Sequence, residues 1–233
     1  MAYRTVLFDC DSTLSSIEGI DELAHEHRAE ITPLTDAAMR GEIPLESVYA
    51  RRLEIIRPSA REMARVGELY IEHLVAGARE VVAALQDAGV DVRIISGGLR
   101  PAVLVAARAL GVGDESVFAV DAYFDEQGDY RGFDEASPLA RAGGKTSLIA
   151  SWSSIPRPVM LVGDGATDAE ARHVVDTFVA FAGVAERASV VAVASHVVRA
   201  PSLLPVLALA LADAPSQDPR TRALVERGLA LLR

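Results

Sequence analysis

Two aspartates one residue apart, Asp9 and Asp11, close the apolar run of "TVLFDCDSTL" (Thr5–Leu14). Side chains alternate along a strand, so positions i and i+2 are expected on one face. At about 5 Å and an effective dielectric of about 20, two such carboxylates repel by roughly 3 kcal/mol. A hard divalent cation offsets that repulsion, and Mg²⁺ takes a few carboxylates while keeping water and substrate oxygens. Two more acids, Asp164 and Asp168, follow a second apolar run in "LVGDGATD", and "IISGG" ends a third with Ser96, Gly97 and Gly98. Lys145, in "AGGKTSLIASW", stands at an expected helix start, where a cation meets the positive dipole end; a bound anion reverses the sign of that cost. Clustered carboxylates, a hydroxyl, backbone amides and one Lys make the inventory of a phosphoryl-transfer site. In it Ser96, the Gly97 and Gly98 amides and Lys145 donate to phosphate oxygens.

Each piece also has an ordinary structural explanation. Asp-x-Asp occurs in loops, "SGG" in tight turns, and Thr167 with Glu170 fits a capping box in which Asp168 complements the helix start. Their joint position carries the argument, because ligands of open parallel sheets bind beyond the carboxyl ends of the strands. "GKT" also ends a P-loop, but that spacing requires Gly at position 139, which is Leu139.

The elements that must hold these residues alternate. Apolar, β-branched runs at Val6–Phe8, Val90–Ile95, Val117–Phe124, Pro158–Val162 and Thr177–Phe181 are separated mostly by helical patterns, which predicts an α/β fold with a parallel sheet. Glu18 to Val75 interrupts the alternation with helices and only short breaks, so an inserted helical lid is expected over the strand ends, with Gly77 as a hinge. "DEQGDYRGF" (Asp125–Phe133) predicts a hairpin turning at Gly128-Asp129, and Leu224–Leu232 a terminal amphipathic helix. With 233 residues, 50% of them hydrophobic, the chain can bury a sizeable core. A net charge of −10 without a basic cluster argues against nucleic-acid binding. Cys10 is the only cysteine, which fits a reducing compartment; with no leader and no spanning run, a cytoplasmic protein without membrane association is expected. The five His residues show no zinc-like spacing.

"FDCDSTLSSIEGIDELA", "ISGG", Lys145 and "VGDGATD" resemble the four ordered motifs of the haloacid dehalogenase superfamily. More narrowly, "AMRGEIPLESVYARRLEIIRPS" and "GFDEASPLARAGGK" resemble its phosphoserine phosphatase branch, nearly to residue 200. The resemblance implies a Rossmann-like core, residues 1–14 and 78–233, with a small helical cap at 15–77. It implies Mg²⁺-dependent hydrolysis of O-phospho-L-serine, the last step of serine biosynthesis, through an aspartyl-phosphate on Asp9. Asp11 then protonates the leaving oxygen, activates water, and gives its backbone carbonyl to the metal. Asp9 and Asp164 complete the metal site, Asp168 supports it and Lys145, and Ser96, Gly97, Lys145 and Thr167 contact the phosphate. Glu18 is implied as the ammonium contact and Met39 and Arg52 as further substrate contacts. Arg52 also stands out directly, since its helix neighbours Val48, Tyr49, Ile55 and Ile56 give it no local acidic partner. Glu18 has a competing explanation, a capping box with Ser15. Thr167 stands where many members carry Asn, and Leu45 replaces a usual Phe. A monomer or homodimer is expected; the nearest alternative is the same chemistry on another small phosphometabolite, or phosphoryl transfer from phosphoserine to an acceptor alcohol. A phospho-accepting receiver module is a more distant one.

Overall fold

The computed structural model describes residues 3–39, 45–213 and 216–232, with the backbone alone at 35–39 and 45–46. The strands are β1 (Thr5–Phe8), β2 (Asp91–Leu99), β3 (Val117–Val120), β4 (Ala122–Phe124), β5 (Tyr130–Phe133), β6 (Val159–Gly163), β7 (Thr177–Phe181) and β8 (His196–Val198). Six form one parallel sheet in the order β3-β2-β1-β6-β7-β8, while β4 and β5 pair as a separate antiparallel hairpin. β1 lies centrally and every residue of it is buried, as expected for a strand covered on both faces. Val6 and Phe8 join one core cluster and Leu7 the other, so the sheet divides the interior into two layers. This is a Rossmann-like α/β fold.

Among the described residues β1 is followed by α1 (Gly19–Leu23), α2 (Arg28–Met39), α3 (Leu45–Ile56) and α4 (Ala60–Glu72). Ala24, Ile31 and Ile56 form a small cluster of their own among them. α4 behaves differently, because Val66 and Tyr70 enter the main core. The remaining helices are α5 (Ala78–Asp87), α6 (Arg100–Ala109), α7 (Gly144–Ser151), α8 (Ala166–Glu170), α9 (Ala188–Val191), α10 (Leu204–Ala210) and α11 (Pro219–Leu231). A Cβ on Gly67 would stand 2.5 Å from Val105, so α4 rests closely on α6. Gly77 takes a left-handed φ of 83° at the start of α5.

Three local expectations change. The run Val117–Phe124 breaks at Asp121, sending β4 out of the main sheet to its hairpin with β5. β8 is an additional edge strand of three residues, too short to show a period. The terminal helix begins earlier, at Pro219, because the Asp218 carboxylate accepts from Thr221 N at 2.7 Å and Pro suits a first helical position. Among the described residues no helix is long and apolar enough to cross a membrane.

Candidate active site

Parallel register brings the acidic loops together. β1 pairs with β2 on one side and β6 on the other, and Asp9 N continues the ladder by donating to Val162 O at 2.9 Å. Beyond Asp9 the chain leaves the strand for a wide turn over Cys10–Leu14, closed by Ser15 N donating to Cys10 O at 3.0 Å. Ser12 sits at φ 51°, a left-handed conformation that strains a non-glycine residue. The turn corrects the expectation that Asp9 and Asp11 share a strand face. The Asp9 carboxylate accepts from Cys10 N at 2.8 Å and from Lys145 Nζ at 2.9 Å. The Asp11 carboxylate turns elsewhere, accepting on Oδ1 from Gly19 N at 2.7 Å and from the Tyr70 hydroxyl at 2.6 Å. Burial, with Asp9 and Glu18 nearby, pushes Asp11 up to about 7.

Lys145 lies in the first turn of α7 and is only 3% exposed. Gly144 before it has the Pro138 carbonyl 1.8 Å from where a Cβ would stand, so only glycine lets the helix start this close to the preceding turn. Lys145 Nζ bridges Asp9 Oδ1 at 2.9 Å and Asp168 Oδ1 at 2.7 Å. Burial pulls the ammonium down, but Asp168 and Asp9 outweigh it and hold it above the usual lysine range. Asp168, fully buried, is held above the ordinary carboxylate range by burial and by Asp9, against the pull of Lys145. It also accepts from Gly165 N at 3.0 Å, closing the start of α8, whereas Glu170 takes Gly143 N at 2.9 Å. The expected Thr167–Glu170 box is therefore not formed.

Oxygens of Asp9, Asp164 and Asp168 lie within 4.8 Å of one another, a buried all-oxygen donor set that fits a hard divalent cation. Asp11, expected to offer only its backbone carbonyl, has its carboxylate engaged by Gly19 and Tyr70, and Asp168 stands beside Asp9 and Asp164 in the side-chain cluster. Asp164 is further contacted by Thr13 Oγ1 at 3.3 Å and by the Arg187 guanidinium.

A cavity of about 260 Å³ opens above this floor. Gly97, Thr167, Glu18, Arg52, Tyr49 and Arg187 all contribute to its walls. Ser96 is fully buried behind it, accepting from Gly98 N at 2.9 Å and donating to Asp11 Oδ2 at 3.4 Å. Glu18 makes no capping box. Its carboxylate accepts from Ser12 Oγ at 2.6 Å and lies 3.6 Å from Arg187, while Ser15 Oγ donates to His73 O. Burial raises the Glu18 carboxyl above its ordinary value. Arg52 faces the cavity but is not without an acid: it pairs with Asp21 of α1, a partner too distant in sequence for helical spacing to reveal. Its Nε is buried with no hydrogen-bond partner among the described residues. The side chains of Met39 and Leu45 lie outside the described residues.

Three site residues escape sequence reasoning. Tyr49 OH donates to Gly97 O at 3.0 Å, tying α3 to the glycine pair near the end of β2. Tyr70 holds Asp11, and Arg187 joins Asp164 to Glu18. Tyr70 shares the buried face of α4 with Met63 and Val66, which reads as core, and Arg187 follows β7 in no recognisable motif.

The family model of haloacid dehalogenase-like hydrolases matches residues 3–176. Phosphoserine phosphatase of Bos taurus is 40% identical over 182 residues, covering 76% of this chain and 81% of the relative. A phosphoserine phosphohydrolase-like protein from Francisella tularensis has a TM-score of 0.73 at 25% identity, covering 84% of this chain and 95% of that one. A phosphoserine phosphatase solved as a phospho-aspartyl intermediate analogue shares the fold, with a TM-score of 0.69 at 24% identity over 89% of this chain and 98% of that one.

Proposed function

Because the chain belongs to the haloacid dehalogenase-like hydrolases, in the branch of the phosphoserine phosphatases, we propose that it is a phosphatase that hydrolyses O-phospho-L-serine through an aspartyl-phosphate on Asp9. The observation that carries this reading is the Lys145 ammonium held between Asp9 and Asp168 on the floor of a cavity whose walls include Arg52 and Glu18. One face suits a phosphate and the other an amino acid.

In this reading residues 15–77 are the cap and 1–14 with 78–233 the core. Asp9 is 7% exposed and reaches the cavity, so its carboxylate can attack phosphorus while solvent is largely excluded. As the new Asp9–phosphorus bond forms, the bond to the serine oxygen breaks, and Asp11 gives that oxygen a proton. Asp11 then takes a proton from the water that hydrolyses the aspartyl-phosphate, which restores both acids. Lys145, the Gly97 amide and Thr167 neutralise and orient the phosphoryl oxygens, while the expected Gly98 amide is already taken by Ser96. Ser96 acts through the loop, since its hydroxyl holds Gly98 N.

Asp9, Asp164 and the backbone carbonyl of Asp11 would hold Mg²⁺, with Asp168 supporting its water; the bound ion supplies positive charge to the phosphoryl oxygens. The acidic triad is the feature that fits it. At the opposite wall the Arg52 guanidinium suits bidentate binding of the serine carboxylate once it leaves Asp21, and Glu18 suits the ammonium. Binding of the substrate carboxylate has to compete with that internal pair.

The test is phosphate release from O-phospho-L-serine against a panel of phosphometabolites, with and without an acceptor alcohol, in magnesium and in chelator. Magnesium-dependent release fastest from phosphoserine supports the reading. Preference for another phosphomonoester moves the substrate assignment, and turnover unaffected by chelator removes the metal.

A further inference from the structure

Asp11 has to pass a proton to one particular oxygen, and donors from three separate elements surround its carboxylate. Gly19 N, at the start of α1, and the Tyr70 hydroxyl, on α4, both reach Oδ1, at 2.7 and 2.6 Å. Ser96 Oγ, in β2, reaches only Oδ2, at a long 3.4 Å. The asymmetry matters. With two short donors on Oδ1, that oxygen acts as a fixed acceptor and Oδ2 is left to carry the proton.

The fold keeps space for this phenol. Tyr70 is 1% exposed, its ring inside the main core. A Cβ on Gly19 would stand 2.0 Å from the Tyr70 oxygen. One on Gly98 would stand 3.0 Å from Asp11 Oδ2, 3.1 Å from Ser96 Oγ and 3.4 Å from the Tyr70 oxygen. Two glycines on different elements thus leave room where Asp11, Ser96 and Tyr70 converge.

We propose that Tyr70 is a positioning residue whose hydroxyl, acting with Gly19 N on Oδ1, turns the Asp11 carboxyl so that Oδ2 faces the leaving oxygen of the substrate. This rests on the reading of Asp11 as the proton donor. In the forward step the proton moves from Asp11 Oδ2 to the serine oxygen as the phosphorus–oxygen bond breaks. In the second step Oδ2 recovers a proton from the attacking water. Tyr70 keeps its own proton throughout.

Leaving-group dependence separates positioning from packing. Serine alkoxide leaves poorly and needs the proton, whereas nitrophenolate leaves without it. Tyr70→Phe retains the ring and removes only the donor, so kcat/KM is measured for O-phospho-L-serine and for p-nitrophenyl phosphate. General acid catalysis contributes about 10²- to 10⁴-fold, so losing one of two orienting donors is expected to lower kcat/KM for phosphoserine about tenfold while the aryl ester changes less than about twofold. Gly19→Ala, whose new Cβ displaces the phenol, is expected to give the same selective loss. Asp11→Asn is the reference. If Asp11→Asn is selective but Tyr70→Phe and Gly19→Ala are not, the positioning role is overturned while the proton-donor reading stands. If Asp11→Asn affects both esters equally, both fall together. Should Tyr70→Phe lower the melting temperature so far that it cannot be assayed under these conditions, the same comparison of the two esters below its melting transition decides.

Discussion

Replacing Lys145 with Met keeps an unbranched side chain of similar length and removes the ammonium from between Asp9 and Asp168. The three acids left behind place oxygens within 4.8 Å of one another. At that distance and an effective dielectric of about 20, each pair of charges repels by about 3.5 kcal/mol. Solvent cannot screen it, since Lys145 and Asp168 are 3% and 0% exposed. Breaking a buried pair by removing one partner costs about 3–5 kcal/mol, in agreement with that repulsion. For a chain of this size each kcal/mol shifts the melting temperature by about 2–4 °C, so Lys145→Met in chelator should melt about 6–20 °C below the parent protein. Magnesium should then restore more stability to the variant than to the parent, because no ammonium competes for Asp9 and Asp168. A ligand at one hundred times its Kd stabilises by about 2.7 kcal/mol, which calorimetry resolves easily. Equal melting temperatures in chelator, or equal gains from magnesium, would refute the view that one Lys and one divalent ion share these acids.

Three further substitutions probe the Arg52 wall and the acidic floor. Arg52→Ala removes a charge-assisted contact of about 1.5–3 kcal/mol, so KM for phosphoserine should rise about ten- to hundredfold with little change for an aryl phosphate; equal rises would remove Arg52 from recognition. Asp21→Asn should act oppositely, lowering KM by releasing Arg52 from its internal partner, and a raised KM would contradict that competition. A Cβ at Gly163 would stand 2.1 Å from the Asp168 carboxyl carbon, so Gly163→Ala should push Asp168 off Lys145. Misplacement by about 1 Å can cost about a hundredfold in kcat, and a fully active Gly163→Ala would show that the position of Asp168 is not critical.

The alternation of strands and helices was readable because each buried strand is an unbroken apolar run, β1 most clearly. The strand order was not, since it follows from crossovers that no local pattern records. Asp9, Lys145, Asp164 and Asp168 could be picked out because each stands where a strand or helix begins or ends, and the structure gathers all four. Local logic failed wherever a distant partner competed. Ser15 and Glu18 have capping-box spacing, yet Ser15 bonds His73 and Glu18 bonds Ser12 and Arg187. Asp11 leaves the face of Asp9 because the backbone turns out of the strand at Cys10, a change that no local pattern announces. Arg52 finds Asp21, thirty-one positions away. Tyr70 looks like core because it is core; only its hydroxyl, which a hydrophobic pattern cannot report, belongs to the site.

The central claim is that Asp9 carries the phosphoryl group. Rapid acid quench of the enzyme turning over ³²P-labelled phosphoserine with magnesium, followed by borohydride reduction and peptide mass mapping, tests it directly. The account predicts a transient ³²P label on the acid-quenched protein and, after reduction has expelled the phosphate, homoserine at position 9, both lost in Asp9→Asn together with phosphate release. Undiminished turnover by Asp9→Asn, or a label on any other residue, would contradict it.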